Sequence, residues 1–228
     1  MQKQNHWLPI LGLVLDSNWL YLAPFLNLSN TIQGAFISEL SANGQPYSLL
    51  FRCLDIAAGV VWLVAALQWV SIKYSPLSLL FGLVLFTLGS ADIIDSLLPL
   101  DCSETMSVVC RNTSGSSLVN NVHLYESSVA VIAFSIIAIT LLISLHFNRL
   151  RRRLYYVTIL MLAMMLVWLL DTLYRQHAHL EGYGFVQRLF ELSFIVWFVV
   201  IWRTAWRQPK YIPKLYQRHW FKLRLRRT

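Results

Sequence analysis

Long apolar runs separated by short polar links dominate this chain. A helix of about twenty apolar residues spans the roughly 30 Å hydrocarbon core of a bilayer. Because lipid offers the backbone no hydrogen-bond partner, such runs must form helices rather than open strands. The pattern predicts an all-α integral membrane bundle over residues 1–206, followed by a tail over 207–228. The six predicted transmembrane helices lie at about 8–25, 49–72, 77–98, 122–146, 155–174 and 185–206.

Composition supports this class. The chain is 57% hydrophobic and 13% charged, whereas charged residues make up about a quarter of a typical soluble domain. No cleavable signal peptide is evident, because only Lys3 and His6 supply positive character before the first apolar run and no small-residue cleavage pattern follows it. The composition therefore predicts a membrane-embedded chain without a removable leader.

The basic residues predict the orientation. Short loops rich in Lys and Arg stay cytoplasmic, and Lys3, Lys73, the cluster Arg149 to Arg153 and the tail all fall on one side of the predicted bundle. Both termini are therefore expected in the cytoplasm. The net charge of +8 fits this asymmetry better than a nucleic-acid partner. In the tail, basic residues alternate with aromatic ones, which favours contact with anionic headgroups of the inner leaflet over RNA.

The three cysteines differ in their predicted surroundings. Cys102 and Cys110 both lie in a predicted outer loop, where an oxidising compartment would pair them. We therefore expect a Cys102–Cys110 disulfide. Cys53 in the second predicted span is left over, and we expect it to be a free, buried thiol.

Polar residues inside the predicted spans concentrate at one level. Of the eleven acidic residues, only Asp16 lies away from the outer loops and outer helix ends. We interpret Asp16 as a buried polar contact that fixes helix packing, in preference to the alternative of a functional acid. Polar residues of the other five spans lie within about 10 Å of the outer ends at 1.5 Å per residue, and they are costly if they face lipid. We therefore predict that they line one outward-opening polar site. The residues assigned to it are Arg52, Asp55, Asp92, Asp95, His123, Glu126, Ser127, Asp171, Arg188 and Glu191.

Within this site we expect one pocket with a central countercharge. Asp92 or Asp95, His123 and Asp171 should lie together there, with Arg188 between the carboxylates, because a guanidinium can serve two of them. Gly89 and its small neighbours should let another helix approach closely beside the pocket. The remaining binding candidates are Arg52, Asp55, Glu126 and Glu191.

Three functions compete for this site. The first is a structural ion-pair network without activity. The second is binding or processing of a lipid-like substrate, which we favour without deciding whether the protein is an enzyme. The third, a proton- or cation-coupled transporter, is disfavoured because the inner halves of the spans are almost wholly apolar. The catalytic candidates for the second function are Asp92, Asp95, His123, Ser127 and Asp171.

Two chemistries would suit an enzyme of this kind. His123, His177 and His179 are residues of a type that binds zinc, although their spacing is a weak signal and the metal only a possibility. Alternatively, Ser127 could act as a nucleophile beside His123 and a carboxylate. Substrate and oligomeric state do not follow from the sequence.

Several short motifs give a family resemblance. They are the stretch FISELSANGQPYSLLFRCLDIAAGV, Asp95-x-x-x-Pro99-x-x-Cys102 with Cys110, then His123-x-x-x-Ser127, and Gly184-x-x-Gln187-Arg188. Together they resemble the bacterial multi-pass family catalogued as domain of unknown function 998. The first loop is also similar, more distantly, to the Frag1/DRAM/Sfk1 membrane proteins. The resemblance implies a six-span bacterial inner-membrane protein without an assigned reaction, and it adds weight to Asp95, His123, Ser127 and Arg188. Intramembrane hydrolases of the alkaline ceramidase type differ from this chain in the order and spacing of these residues.

Overall fold

The structure, a computed structural model, describes residues 7–26, 35–72, 76–103, 107, 109–110, 118–146, 152–178 and 184–206. These residues are helical apart from short turns, and side chains at a few helix ends lie outside the description. A short 3₁₀ helix, Ile37–Ser41, stands between the second and third α-helices. The α-helices are α1 Leu8–Asp16, α2 Asn18–Phe25, α3 Ser48–Ile72, α4 Pro76–Leu97, α5 Leu118–His146, α6 Arg152–Ala178 and α7 Gly184–Trp206.

The first predicted span is divided into two helices. α1 ends at Asp16 and α2 begins at Asn18, with Ser17 between them. Short polar side chains compete with the backbone for hydrogen bonds and so favour helix ends over helix interiors. The backbone remains bonded through the break, since Ser17 N donates to Leu13 O and Leu20 N donates to Ser17 O, both at 3.0 Å. The break therefore places Asp16 and Asn18 at facing helix ends.

The boundaries of the later helices agree with the prediction to within a few residues. The largest differences are in α5, which begins at Leu118 rather than 122, and in α6, which extends over Arg152–Ala178 rather than 155–174. His123 consequently lies in the second turn of α5, and Asp171 lies about two turns before the end of α6.

Four helices are long and apolar enough to cross a membrane. Their candidate spans are Ser48–Val70, Leu79–Leu97, Arg152–Tyr174 and Gly184–Thr204. α5 contributes a shorter apolar segment, Ser128–Ile143. The structure thus supports a helical membrane protein, whereas six spans and cytoplasmic termini remain predictions. The tail over 207–228 lies outside the described residues.

The tightest helix pair is α3 with α4. A Cβ atom at Gly89 would lie 2.6 Å from the carbonyl oxygen of Gly59, and one at Gly59 would lie 2.8 Å from that of Gly89. Only glycines permit this approach, as expected for small residues at membrane helix crossings. α1 packs on α3, α5 on α4, and α7 on both α6 and α4.

Aromatic side chains fill the centre of the bundle. Trp62 meets Phe198 edge to face at 4.9 Å between ring centroids, and Phe81 lies 5.4 Å from Phe198. Trp197 Nε1 donates to the buried Thr158 Oγ1 at 3.0 Å. These rings join α3, α4, α6 and α7 in one apolar core.

Residues 35–47, which we term the cap segment, cover the end of the bundle at which α3 begins. Although this loop is polar in sequence, Glu39 and Leu40 in it are each only 3% exposed. Leu40 packs with Trp19 and Phe51 in a second, smaller apolar cluster. Asn43 N donates to Leu100 O at 2.9 Å, so the cap segment is fastened to the chain that follows α4.

The cysteines follow the prediction in part. Cys102 and Cys110 form a disulfide with their Cα atoms 6.0 Å apart, as expected. Cys53 is free but exposed rather than buried, so that expectation was wrong. The buried face of α3 carries Ala58 and Trp62, and the helical rotation places Cys53 on the outer face.

Candidate functional site

Four helices bring five carboxyl groups to one level of the bundle. They are Asp16 of α1, Asp55 of α3, Asp92 and Asp95 of α4, and Glu191 of α7. Asp92 interacts electrostatically with all four of the others, and Asp16 also interacts with Asp55 and Glu191. We call these five residues the acidic cluster. Each is partly buried, so the cluster lies inside the bundle rather than on its outer surface.

The break between α1 and α2 joins the first span to this cluster. Asn18, only 3% exposed, donates from Nδ2 to Asp55 Oδ1 at 2.5 Å. Asp16, two residues earlier, interacts electrostatically with Glu191. Asp16 therefore belongs to the same site as the other acidic residues, in addition to its predicted role as a buried polar contact.

Asp95 links α4 to α5 through a histidine. Its Oδ1 contacts Nδ1 of His123, with side-chain exposures of 26% and 13% respectively. The sequence prediction placed both residues in one site, and the structure brings them into direct contact. A carboxylate at Nδ1 fixes the imidazole ring and leaves Nε2 as the other polar atom.

Asp92 has an oxygen that is enclosed within the bundle. Its Oδ2 is inaccessible to solvent and has no hydrogen-bond partner among the described residues. A Cβ atom at Gly59 would lie 3.3 Å from the Cβ of Asp92, so α3 closes one side of this carboxylate. One turn further along α4, Ser96 is 1% exposed and its Oγ likewise lacks a described partner.

The two arginines of the predicted site contact residues outside the acidic cluster. Arg52 Nε donates to the carbonyl oxygen of Ser96 at 2.9 Å. Arg188 Nη1 donates to Ala35 O at 2.9 Å, and its guanidinium lies 5.7 Å from the centre of the Trp19 ring. The carboxylate that interacts with Arg188 is Glu39 of the cap segment.

Arg188 is therefore not the central countercharge that the sequence suggested. It lies one turn after the start of α7, at the level of the cap segment. Gly184 admits the cap segment there, because a Cβ atom at this position would lie 1.8 Å from Ala35 O. Gln187 Oε1 accepts a hydrogen bond from Ile37 N at 2.8 Å. This end of α7 thus holds the cap segment, and the described contacts of the acidic cluster include one with a histidine, His123, and none with an arginine or lysine.

No described contact joins a further predicted site residue to the acidic cluster. Asp171 on α6 is partly buried, and it is not among the carboxyl groups that act on Asp92. Glu126 and Ser127 lie on α5, but their side chains, like that of His177, are outside the described set, and His179 is outside it altogether.

The zinc hypothesis gains no geometric support from the described residues. Among them, no three His, Cys, Asp or Glu side chains are grouped closely enough to hold a metal ion. His177 and His179, the other metal candidates, fall outside this test. The arrangement therefore offers a set of carboxylate acceptors without the close convergence that a small metal ion requires.

Sequence reasoning did not assign Asp16, Asn18, Ser96 or Glu39 to the site. A signal existed for the first two, because three polar residues interrupt the first apolar run and such residues avoid lipid. Ser96 and Glu39 gave no comparable signal. Serine is common in membrane helices, and Glu39 is buried by a loop whose path the hydrophobic pattern does not specify.

Apolar helices of membrane-crossing length around shared, buried acidic groups define a helical membrane protein. Residues 19–204 match the family described as a protein of unknown function (DUF998), and because this match covers most of the chain, the protein belongs to that family. No curated protein and no solved structure matches the chain. The family description names no activity, so a function must be argued from the site.

Proposed function

We propose that this protein binds a lipid-like substrate at the acidic cluster, from the outer leaflet of the bacterial inner membrane. The observation that supports the proposal is the meeting of five carboxyl groups from four helices, with no arginine or lysine partner among their described contacts. Ionisable groups within membrane helices are costly, and they mark substrate or ion pathways in membrane proteins.

A purely structural role fits the contacts less well. In a structural ion-pair network, the arginines would neutralise the acids, because one uncompensated buried charge costs several kcal/mol. Arg52 instead binds a backbone carbonyl and Arg188 binds the cap segment. The absence of an arginine or lysine partner among the described contacts supports a role for the cluster in binding a ligand.

The position of the cluster favours access from lipid. Asp55 and Glu191 each lie two turns inside their helices, about 10 Å from the helix start, which matches the depth at which headgroups meet acyl chains. The buried cap segment covers the direct route from the end of the bundle. α1 and α7 both contribute acidic groups, yet in the described residues they pack only sparsely on each other. We propose the seam between them as the lateral entrance.

The orientation is part of the proposal. A Cys102–Cys110 disulfide persists in an oxidising compartment, so the end of the bundle that bears the cluster and the cap segment faces away from the cytoplasm. Six spans with both termini inside agree with the basic residues. Reporter fusions after Lys73 and Arg153 should report the cytoplasm, and a fusion within residues 103–109 the opposite side. An external signal from the fusion at Arg153 would contradict the orientation.

Photo-crosslinking tests the binding itself. The purified protein is reconstituted in vesicles with a trace of a photoactivatable lipid, and label is mapped by mass spectrometry. We expect saturable labelling on α1 and α7 near Asp16 and Glu191, weakened at least about tenfold by Glu191→Gln. Asp101→Asn, at an exposed position, serves as the control. Uniform, non-saturable labelling of all outer helix surfaces would contradict the proposal.

Processing of the bound lipid is a second candidate, favoured by the contact between Asp95 and His123. Ser127 follows His123 by one helical turn, so a nucleophile, a base and an orienting carboxylate lie on neighbouring positions. His123 would take the hydroxyl proton of Ser127 as its oxygen attacks an acyl carbonyl, then give the proton to the departing alcohol. Release of product from an ester lipid, abolished in both His123→Ala and Ser127→Ala, would support this role.

A further inference from the structure

We infer that two rows of exposed aromatic side chains bind the headgroup regions of the two bilayer leaflets and hold the bundle at one depth in the membrane. The partner of this surface is the lipid–water interface. The inference goes beyond the proposed function, because it requires no ligand at the acidic cluster. It rests on the register between the helices and on the distance between the two rows.

The first row lies at the end of the bundle that bears the cap segment, and we call it the cap-side row. Its members among the described residues belong to or adjoin different helices, and each is more than half exposed; they are Phe25 of α2, Tyr47 directly before α3, Tyr125 of α5, Tyr174 of α6 and Phe185 of α7. The apolar candidate spans stop at the same level, since one begins at Ser48, one ends at Tyr174 and one begins at Gly184. The row therefore marks the edge of the apolar surface.

Contacts between α5 and α7 place two members at one height. The rings of Phe134 and Phe194 lie 5.5 Å apart between centroids. Tyr125 precedes Phe134 by nine residues, and Phe185 precedes Phe194 by nine residues. Because α5 and α7 both begin at the cap segment's end of the bundle, equal offsets along them give equal heights.

The stacked rings of α6 and α7 give the same result. Trp168 stacks on Phe190 at 5.1 Å between ring centroids. Tyr174 lies six residues after Trp168, and Phe185 lies five residues before Phe190. Since α6 and α7 run in opposite directions, the heights of Tyr174 and Phe185 differ by the rise of one residue, about 1.5 Å.

The first helices agree with the others. The hydrogen bond between Asn18 and Asp55 joins α2 to α3, and Phe25 lies seven residues beyond it while Tyr47 lies eight residues beyond it toward the same end. The ring contact between α3 and α7 at the centre of the bundle places Tyr47 within about 3 Å of the height of Phe185. The cap-side row is therefore level around the bundle.

A second row lies at the opposite end of the bundle. Among the described residues it contains Trp7, directly before α1, and Tyr156, in the second turn of α6, each 64% exposed. Tyr156 is eighteen residues from Tyr174, and Trp7 is eighteen residues from Phe25. At 1.5 Å per residue both separations are about 27 Å, close to the roughly 30 Å of a bilayer's hydrocarbon core.

This spacing identifies lipid as the partner. Tyrosine and tryptophan favour the two membrane–water interfaces, because their rings are apolar and carry a polar atom. A partner protein would cover neighbouring helices on one side, whereas lipid surrounds every helix at the same height. The free Cys53, which is exposed, follows Tyr47 by six residues and should therefore face acyl chains about 9 Å below the cap-side row.

Spin labels test the depth of the row in phosphatidylcholine nanodiscs, which expose both faces of the bilayer. One label is placed on the native Cys53 and another on Phe185→Cys in a Cys53→Ser background, under non-reducing conditions that keep the disulfide intact. Collisions with oxygen and with a water-soluble nickel chelate report depth. We expect the label at position 185 at headgroup level and the label on Cys53 about 9 Å deeper.

Two results would overturn this placement. Equal depths for the two labels would show that the row does not mark the interface. Protection of the label at position 185 from both oxygen and the nickel chelate would show that protein, such as a second copy of the chain, covers the row instead of lipid.

Bilayers of different thickness test whether the rings themselves set the depth. In phosphatidylcholine vesicles of increasing chain length, the melting temperature of the protein should be highest where the hydrocarbon is about 27 Å thick, since mismatch is costly. Replacing three ring members together, by Tyr125→Leu, Tyr174→Leu and Phe185→Leu, should flatten that optimum. Phe86→Leu removes an exposed ring between the two rows and should leave it unchanged. An optimum that is absent from the natural protein, retained in the triple variant, or lost equally in Phe86→Leu would contradict the inference.

Discussion

The apolar centre of the bundle and its acidic end are built from the same three helices, α3, α4 and α7, yet they satisfy their side chains very differently. In the centre, Trp62, Phe81 and Phe198 are fully buried and pack ring against ring. At the acidic end, several carboxyl groups lie close enough to interact electrostatically, and Asp92 Oδ2 is enclosed without a hydrogen-bond partner among the described residues. The difference indicates that stability depends mainly on the centre, whereas the acidic end keeps unfavourable groups, as the proposed binding role requires.

The crossing of α3 and α4 lies between these two regions. Gly59 and Gly89 bring the two backbones into contact there. Asp55 precedes Gly59 by about one turn, and Asp92 follows Gly89 by about one turn, so the crossing fixes the separation of the two carboxylates. Trp62 lies on the other side of the same crossing, since its Cβ is 2.9 Å from a Cβ placed at Gly89. A rigid apolar centre thus positions the acidic end.

We expect the largest loss of stability from a substitution in the apolar centre of the bundle. Trp62→Ala removes a ring that contacts Phe198 and covers Gly12, and we expect it to lower the free energy of unfolding by about 4 kcal/mol. Because lipid chains are as apolar as the core, the loss is one of close packing. Denaturant unfolding in micelles measures it. Phe86→Ala, at a position 55% exposed, is the matched control, and equal losses in the two variants would contradict a packed centre.

The free energy of unfolding should be nearly as sensitive to a substitution at the crossing of α3 and α4. Gly89→Leu would push α3 away from α4, since even a Cβ atom meets Gly59 O at 2.6 Å, and we expect a loss of about 3 kcal/mol. The same unfolding measurement applies. Ala163→Leu, at an exposed position on α6, adds the same side chain where only lipid is near and should be almost neutral. A neutral Gly89→Leu would show that the helices are further apart than described.

The disulfide should stabilise only the acidic end of the bundle. Cys102→Ser opens the short loop after α4, and we expect it to lower the free energy of unfolding by about 2–3 kcal/mol. Cys53→Ser, which changes an exposed free thiol, is the control. Hydrogen exchange should rise near residues 98–103, and through Leu100 in the cap segment, but not around Trp62. Increased exchange at Trp62 would show that the two regions are not separate.

Arg188 tests how the cap segment is held. Arg188→Ala removes its hydrogen bond to Ala35 O and its contact with Trp19, for an expected loss of about 2 kcal/mol. Hydrogen exchange over residues 35–47 should increase, while the exposed Arg203→Ala should leave it unchanged. If exchange rose instead around Asp92, Arg188 would be acting as a countercharge of the cluster after all.

Much of this fold could be predicted because hydrophobic length is a strong signal. Five of the helices begin and end within a few residues of their apolar runs, and the disulfide followed from loop placement. The path of the cap segment could not be predicted, because its burial depends on Gly184 admitting Ala35, a contact between distant parts of the chain. The partner of Arg188 was missed for the same reason. Position along a helix gives depth, but it does not give the direction in which a long side chain turns.

The smallest expected change in stability is also the most informative. Asp92→Asn replaces an enclosed carboxyl group, whose Oδ2 has no described partner, by an amide of the same shape, so it removes the electrostatic interaction with Asp16 and Glu191 without opening a cavity. We expect the melting temperature of the ligand-free protein to stay the same or rise, as at functional sites that keep unfavourable groups. Asp55→Asn is the comparison, because Asp55 has a donor in Asn18 and should lose stability. Removing one member of a structural ion pair would cost about 3–5 kcal/mol. A loss of that size in Asp92→Asn would mean that the acidic end holds the bundle together, and the proposed binding role would then lose its physical basis.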